Sequence, residues 1–139
     1  MNEATSGVVD ITTDVLTTSS GSSFGATAAL DVDATTASIT GIAGSVDVNA
    51  IGTGGIDITA ATTAIGDITI TGTEDLTLTS ISAFNGSISV TATGANIFAV
   101  GVNSLGTDDD DDIDLTTVTS GNVVLTSVAT AGAGDTTLQ

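Results

Sequence analysis

Six aspartates, Asp108, Asp109, Asp110, Asp111, Asp112 and Asp114, crowd into seven positions and form the densest chemistry-bearing feature of the chain. Carboxylate oxygens are the ligands that Ca²⁺ prefers, at about six to eight per ion. Alternate side chains on an extended run lie ~7 Å apart and repel by roughly 0.6 kcal/mol even at the dielectric of water, so a bound cation would relieve the run. Its spacing fits neither the EF-hand loop nor the nonapeptide Ca²⁺ roll. The residues therefore predict a solvated charged loop, with a Ca²⁺-binding loop of undefined ligand geometry as the alternative.

No other residue class offers comparable chemistry. The 139 residues include 17 acidic ones and no Lys, Arg or His, for a formal charge of −17. Without a cationic side chain there is no phosphate clamp, no Schiff-base amine, no imidazole base and no basic patch, which argues against nucleotide enzymes and nucleic-acid partners. Ser and Thr lack a base to activate them. Paired carboxylates for glycoside hydrolysis would need a cleft and, commonly, aromatic platforms, yet the chain has no Trp or Tyr. The chain is read as a non-enzyme whose carboxylates need water, a cation or a partner's positive groups.

A second acidic set, Asp10, Asp31, Asp47, Asp57 and Asp114, occupies the second position of recurring apolar-polar-apolar-polar tetrads. On a strand these side chains face away from the apolar pair. Stacked strands would bring some of them within ~4.8 Å of one another, with roughly 0.9 kcal/mol of repulsion per contact in water. Such a face is read as solubilising charge, with a cation- or partner-binding row as the alternative. The Thr pairs 69/71, 77/79, 91/93 and 117/119 resemble rows on ice-binding faces, but they stand in different registers against the glycines, so ordinary β-propensity accounts for them.

The tetrads themselves set the architecture. VDIT from Val9, LDVD from Leu30, VDVN from Val46, IDIT from Ile56, ITIT from Ile68, LTLT from Leu76, ISVT from Ile88, IDLT from Ile113 and VVLT from Val123 have the period of two expected of half-buried strands. Nine or more strands follow. Gly44, Gly55, Gly66, Gly86 and Gly121 each precede a tetrad and are expected to turn the chain with positive φ. The tetrads fall into two interleaved series: Val46, Ile68, Ile88 and Ile113, and Ile56 and Leu76 with Ile97 and Val123 as looser members. Steps of about 20 to 26 residues predict an all-β, parallel β-solenoid; a β-sandwich with strand donation is the alternative. With only Phe24, Phe84 and Phe98 as aromatics, its core must be thin and built from small branched side chains.

Segments such as GSVDVNAIGTGGIDIT, GDITITGTEDLTLTS and NGSISVTATGAN resemble the repeats of filamentous-haemagglutinin-like giant bacterial surface proteins. The resemblance covers roughly Val46 to Thr126 and implies a right-handed parallel β-helix with cell-surface adhesion or structure, and cell-surface glycans as partners. It transfers no functional residue.

The organisation expected is an N-terminal strand and Ser/Gly-rich segment, residues 1–25, followed by one β-repeat domain, residues 26–139. No Pro or Lys blunts an edge, so strands invite pairing with another copy. The segment Val8 to Leu16 is the expected joint, with Val9, Ile11, Val15 and Leu16 as its apolar assembly residues, donated to a neighbour's sheet. No apolar run is long enough for a membrane helix, and the aromatic girdles of a spanning barrel are missing. Taken together, the residues predict a self-assembling structural subunit of an extracellular filament or surface layer; the alternative is a Ca²⁺-binding adhesin or stalk module of a larger surface protein.

Overall fold

Alternation of Val, Ile and Leu with Thr, Ser and Asp gives each short segment one face to bury and one to hydrate, which fixes both its extended form and its register. The computed structural model describes residues 9–19, 21–25, 27–62 and 64–139. Among them are β1 (Ile11–Thr12), β2 (Val15–Ser19), β3 (Leu30–Asp33), β4 (Thr36–Ile42), β5 (Val46–Ala50), β6 (Ile56–Thr62), β7 (Ile68–Gly72) and β8 (Leu76–Ala83). They continue as β9 (Ile88–Thr93), β10 (Ile97–Ala99), β11 (Val102–Ser104), β12 (Ile113–Val118), β13 (Val123–Leu125), β14 (Val128–Thr130) and β15 (Thr136–Leu138).

All pairings are parallel. One sheet runs β1-β3-β5-β7-β9-β12-β15 and the other β2-β4-β6-β8-β10-β13, with β11 and β14 extending the second beside β8. The chain alternates between them, forming a β-solenoid of about 6 turns and about 21 residues per turn, with no helix among the described residues. The solenoid expected from the sequence is the fold observed, and the sandwich is not.

Both tetrad series are literal columns of the structure. Val46, Ile68, Ile88 and Ile113 pair successively in the first sheet, and Ile56, Leu76, Ile97 and Val123 in the second. The inward columns close a narrow core in which Leu30, Val48, Ile70, Val90 and Leu115 are buried to within about 1%. Burial of one such side chain is worth about 1.5–3 kcal/mol, so repetition rather than bulk stabilises the fold. Phe24 is the one aromatic in this core; it bridges to Val46 and extends the first column toward the N-terminal end.

The glycines divide by role. Gly55 and Gly121 turn with φ of 80° and 134° as expected, but Gly44, Gly66 and Gly86 are not among the positive-φ glycines. They stack upon one another instead: a Cβ on Gly66 would lie 2.5 Å from the Gly44 carbonyl carbon, and one on Gly86 would lie 2.6 Å from the Gly66 oxygen. Close approach between coils, not turning, requires glycine at these three positions.

Candidate assembly and cation-binding surfaces

The Asp run is the crest of an enlarged corner. Ser104 pairs with Ala83, 21 residues away, whereas Ile113 pairs with Ile88, 25 away; the corner between β11 and β12 therefore holds four more residues than the corner below it. Asp108, Asp109 and Asp110 are exposed there. Asp111 turns inward and is 3% exposed; its Oδ2 accepts the backbone N–H of Asp108 at 2.9 Å and packs where a Cβ on Gly106 would sit. Asp112 accepts the Asp135 backbone N–H at 2.7 Å, and Asp114, on β12, accepts the Thr116 hydroxyl at 2.8 Å. The six carboxylates do not converge, and among the described residues no three His, Cys, Asp or Glu side chains gather as metal ligands. Asp108 to Asp110 and Asp112 are exposed, and of these Asp112 is engaged by the Asp135 N–H.

The bond from Asp135 to Asp112 is one rung of a ladder along the corner that precedes the first sheet. The backbone N–H of Ser45 donates to Ser23 Oγ at 3.1 Å, that of Asp67 to Ser45 Oγ at 3.3 Å, and that of Ser87 to Asp67 Oδ1 at 3.0 Å. The Asp112 N–H then donates to Ser87 Oγ at 3.3 Å. Each acceptor immediately precedes a first-sheet position, so the local motif is Gly, then Ser or Asp, then an apolar residue: Gly44-Ser45-Val46, Gly66-Asp67-Ile68 and Gly86-Ser87-Ile88. Glycine lets the coils approach and the short oxygen-bearing side chain captures the next coil's N–H. At the opposite corner Asp75 accepts both the backbone and side-chain N–H groups of Asn96, whose Oδ1 accepts those of Asn122.

Register also answers the expected crowding of the outward carboxylates. Asp31 stands beside Asn49, which donates to it at 2.8 Å; Asp47 beside Thr69; Asp57 between Thr36 and Thr77; and Asp114 between Ser89 and Thr137. Asp57 also accepts the Thr79 hydroxyl. Only at Asp10, whose Oδ2 accepts the Asp31 backbone N–H at 3.3 Å, do two members of the set meet. Burial pushes the Asp47 carboxyl above its ordinary value. The Thr pairs stand in different registers, as expected: Thr71 pairs with Thr91, but Thr69 pairs with Ser89 and Thr117 with Ala92.

The assembly residues sit in the first coil. Ile11 pairs with Val32 and Leu16 with Ala37, and both pack against this chain's own core, while Val9 and Val15 are 41% and 57% exposed. Val8, residues 1–7 and Ser20 of the expected N-terminal segment lie outside the described residues. At the other end Leu125 and Leu138 continue the buried columns of Ala99 and Leu115 yet are 42% and 44% exposed.

One feature had no signal in the tetrads. A cavity of about 210 Å³ opens at the corner that joins the first sheet to the second, lined by residues from three successive coils, Thr12 and Thr13, Asp33 to Thr35, and Gly52 to Gly55. No protein-family model, curated protein or solved structure matches the chain.

Proposed function

We propose that the chain is a structural, self-assembling β-solenoid subunit of an extracellular filament or surface layer, with further copies of itself as its principal partner. The observation that carries this reading is the exposed apolar residues of the last described coil. Among the described residues β13, β14 and β15 pair on one side only, and apolar columns buried elsewhere reach solvent at Leu125 and Leu138. Head-to-tail addition of coils is heterologous and generates an open fibre rather than a closed ring. The style of the repeats, similar to filamentous-haemagglutinin-like surface proteins, and a composition with no tryptic site and no Cys suit an exposed structural material.

A second reading is a Ca²⁺-binding stalk or adhesin module of a longer surface protein, with cell-surface glycans as partners. The stacked columns favour it, because they would continue through additional coils of one chain.

Electron microscopy and sedimentation of the isolated protein separate the two. Filaments from the unmodified chain, and monomers from Leu125→Asp/Leu138→Asp, are the expected results. A protein that stays monomeric at high concentration, with or without Ca²⁺, sinks the subunit reading and leaves the module.

A further inference from the structure

We infer that the corner cavity of the first three coils is a binding site for one neutral sugar ring. Its origin is a change of corner length. Val32 pairs with Ala50, 18 residues on, whereas Thr36 pairs with Asp57, 21 residues on, so the third corner contains three more residues than the second. The extra residues, Gly-rich and centred on Thr53, overhang the tight corners beneath and leave the cavity of about 210 Å³, which has room for a single pyranose.

The lining is mixed, with glycine backbone and Ala34 beside the side chains of Thr12, Thr13, Asp33, Thr35 and Thr53, and its polar groups are biased toward hydrogen-bond acceptance. The Thr13 hydroxyl donates to the Val15 carbonyl at 3.1 Å, and the Thr35 hydroxyl lies 2.7 Å from both the carbonyl and the carboxylate of Asp14, to one of which it gives its single proton. With those protons committed, the two oxygens face a ligand as acceptors. Asp33 adds its carboxylate oxygens as further acceptors. Gly52 makes room for it: a Cβ there would lie 2.9 Å from Asp33 Oδ1. Such a wall selects a ligand rich in O–H donors and repels phosphates, sulfates and uronates, since the chain has no cationic side chain to meet them. A neutral hexose offers adjacent hydroxyls to one carboxylate. The inference stands apart from the assembly reading, and either can fail alone.

The test is saturation-transfer NMR and titration of the whole chain with glucose, galactose, mannose and N-acetylglucosamine, each with and without chelator. Binding of at least one of them, insensitive to chelator, is expected. Asp33→Ala should weaken it about tenfold or more, and Gly52→Ala, which fills the floor, should abolish it. Asp108→Asn should leave it unchanged. If Gly52→Ala fails to fold, Asp33→Ala alone decides. No transfer to any of the four sugars overturns the inference, as does equal binding by the Asp33→Ala protein. Binding that disappears with chelator would identify a cation site instead and would equally overturn it.

Discussion

The carboxylate of Asp112 accepts the backbone N–H of Asp135 at 2.7 Å, across the boundary between one coil and the next. The most acidic stretch of the chain thus contributes a coil-to-coil fastening, equivalent to those made by Ser45, Asp67 and Ser87. Removing the acceptor in Asp112→Ala should destabilise the last coil by about 1 kcal/mol, the usual net worth of such a bond at an exposed position. Asp112→Ser, which restores the oxygen used at three other rungs, should recover most of the loss. Urea unfolding of the three proteins checks this, and equal midpoints for Ala and Ser would count against the ladder.

Stacked glycines should respond far more sharply than free ones. Gly66→Ala places a methyl 2.5 Å from the Gly44 carbonyl carbon and should cost about 1–3 kcal/mol or more through overpacking. Gly54→Ala meets nothing within 4 Å and has no positive φ, so it should be neutral or stabilising by about 0.4–1 kcal/mol. Thermal melts of the two variants test the distinction.

Thr119 has φ of 77° and is the one non-glycine residue in the left-handed region among those described. That conformation costs a β-branched side chain roughly 1–2 kcal/mol, while Asn visits it more readily. Thr119→Asn should therefore raise stability by about 1 kcal/mol. A lower midpoint in denaturant for this variant would refute the strain assignment.

Burial raises the Asp47 carboxyl, so the folded state holds its proton more tightly than the unfolded state does. Between the ordinary aspartate value and the raised one, the folded form binds more protons, and stability falls as pH rises through that window. The penalty persists at neutral pH. Asp47→Asn should then be more stable than the parent at pH 7, and the difference should vanish below the ordinary Asp range. Melting temperatures followed from pH 3 to pH 7 give the sign directly.

Among the acidic residues, Asp111 and Asp112 hold structure, whereas Asp108 to Asp110 face solvent. The cation test belongs on the latter. If the loop binds Ca²⁺, the ion should raise the melting temperature of the parent and leave Asp108→Asn/Asp109→Asn/Asp110→Asn unmoved. An equal response in both proteins would place any Ca²⁺ elsewhere.

The fold was legible because period-two tetrads spaced by one coil declare both strand identity and stacking partner. Val46, Ile68, Ile88 and Ile113 could be aligned by eye. Strands β2, β4, β11 and β14 carried no such tetrad; their Thr, Ser and Ala positions are drawn into sheets by the neighbours with which they pair. The corner ladder had a signal that stayed unread, the Ser or Asp between each stacking glycine and the apolar residue after it. Its meaning lies in bonds spanning 20 to 25 residues, which only the coil register reveals. Gly44, Gly66 and Gly86 were likewise assigned to turning because nothing in a single coil shows what lies beneath it. The sugar-sized recess depends on unequal corner lengths and becomes visible only when three coils are superposed.

Every rung of the corner ladder points the same way: the earlier coil supplies the side-chain oxygen and the later coil supplies the N–H. A finished coil is thus a template with its acceptors already in place, and the chain that follows needs only to lay its backbone against them. Folding can then advance from the N-terminal side in step with a polypeptide emerging from a narrow exit, without waiting for distant residues to arrive. Damage should follow the same polarity, a cut in a late coil releasing what comes after it while the coils before it stay wound.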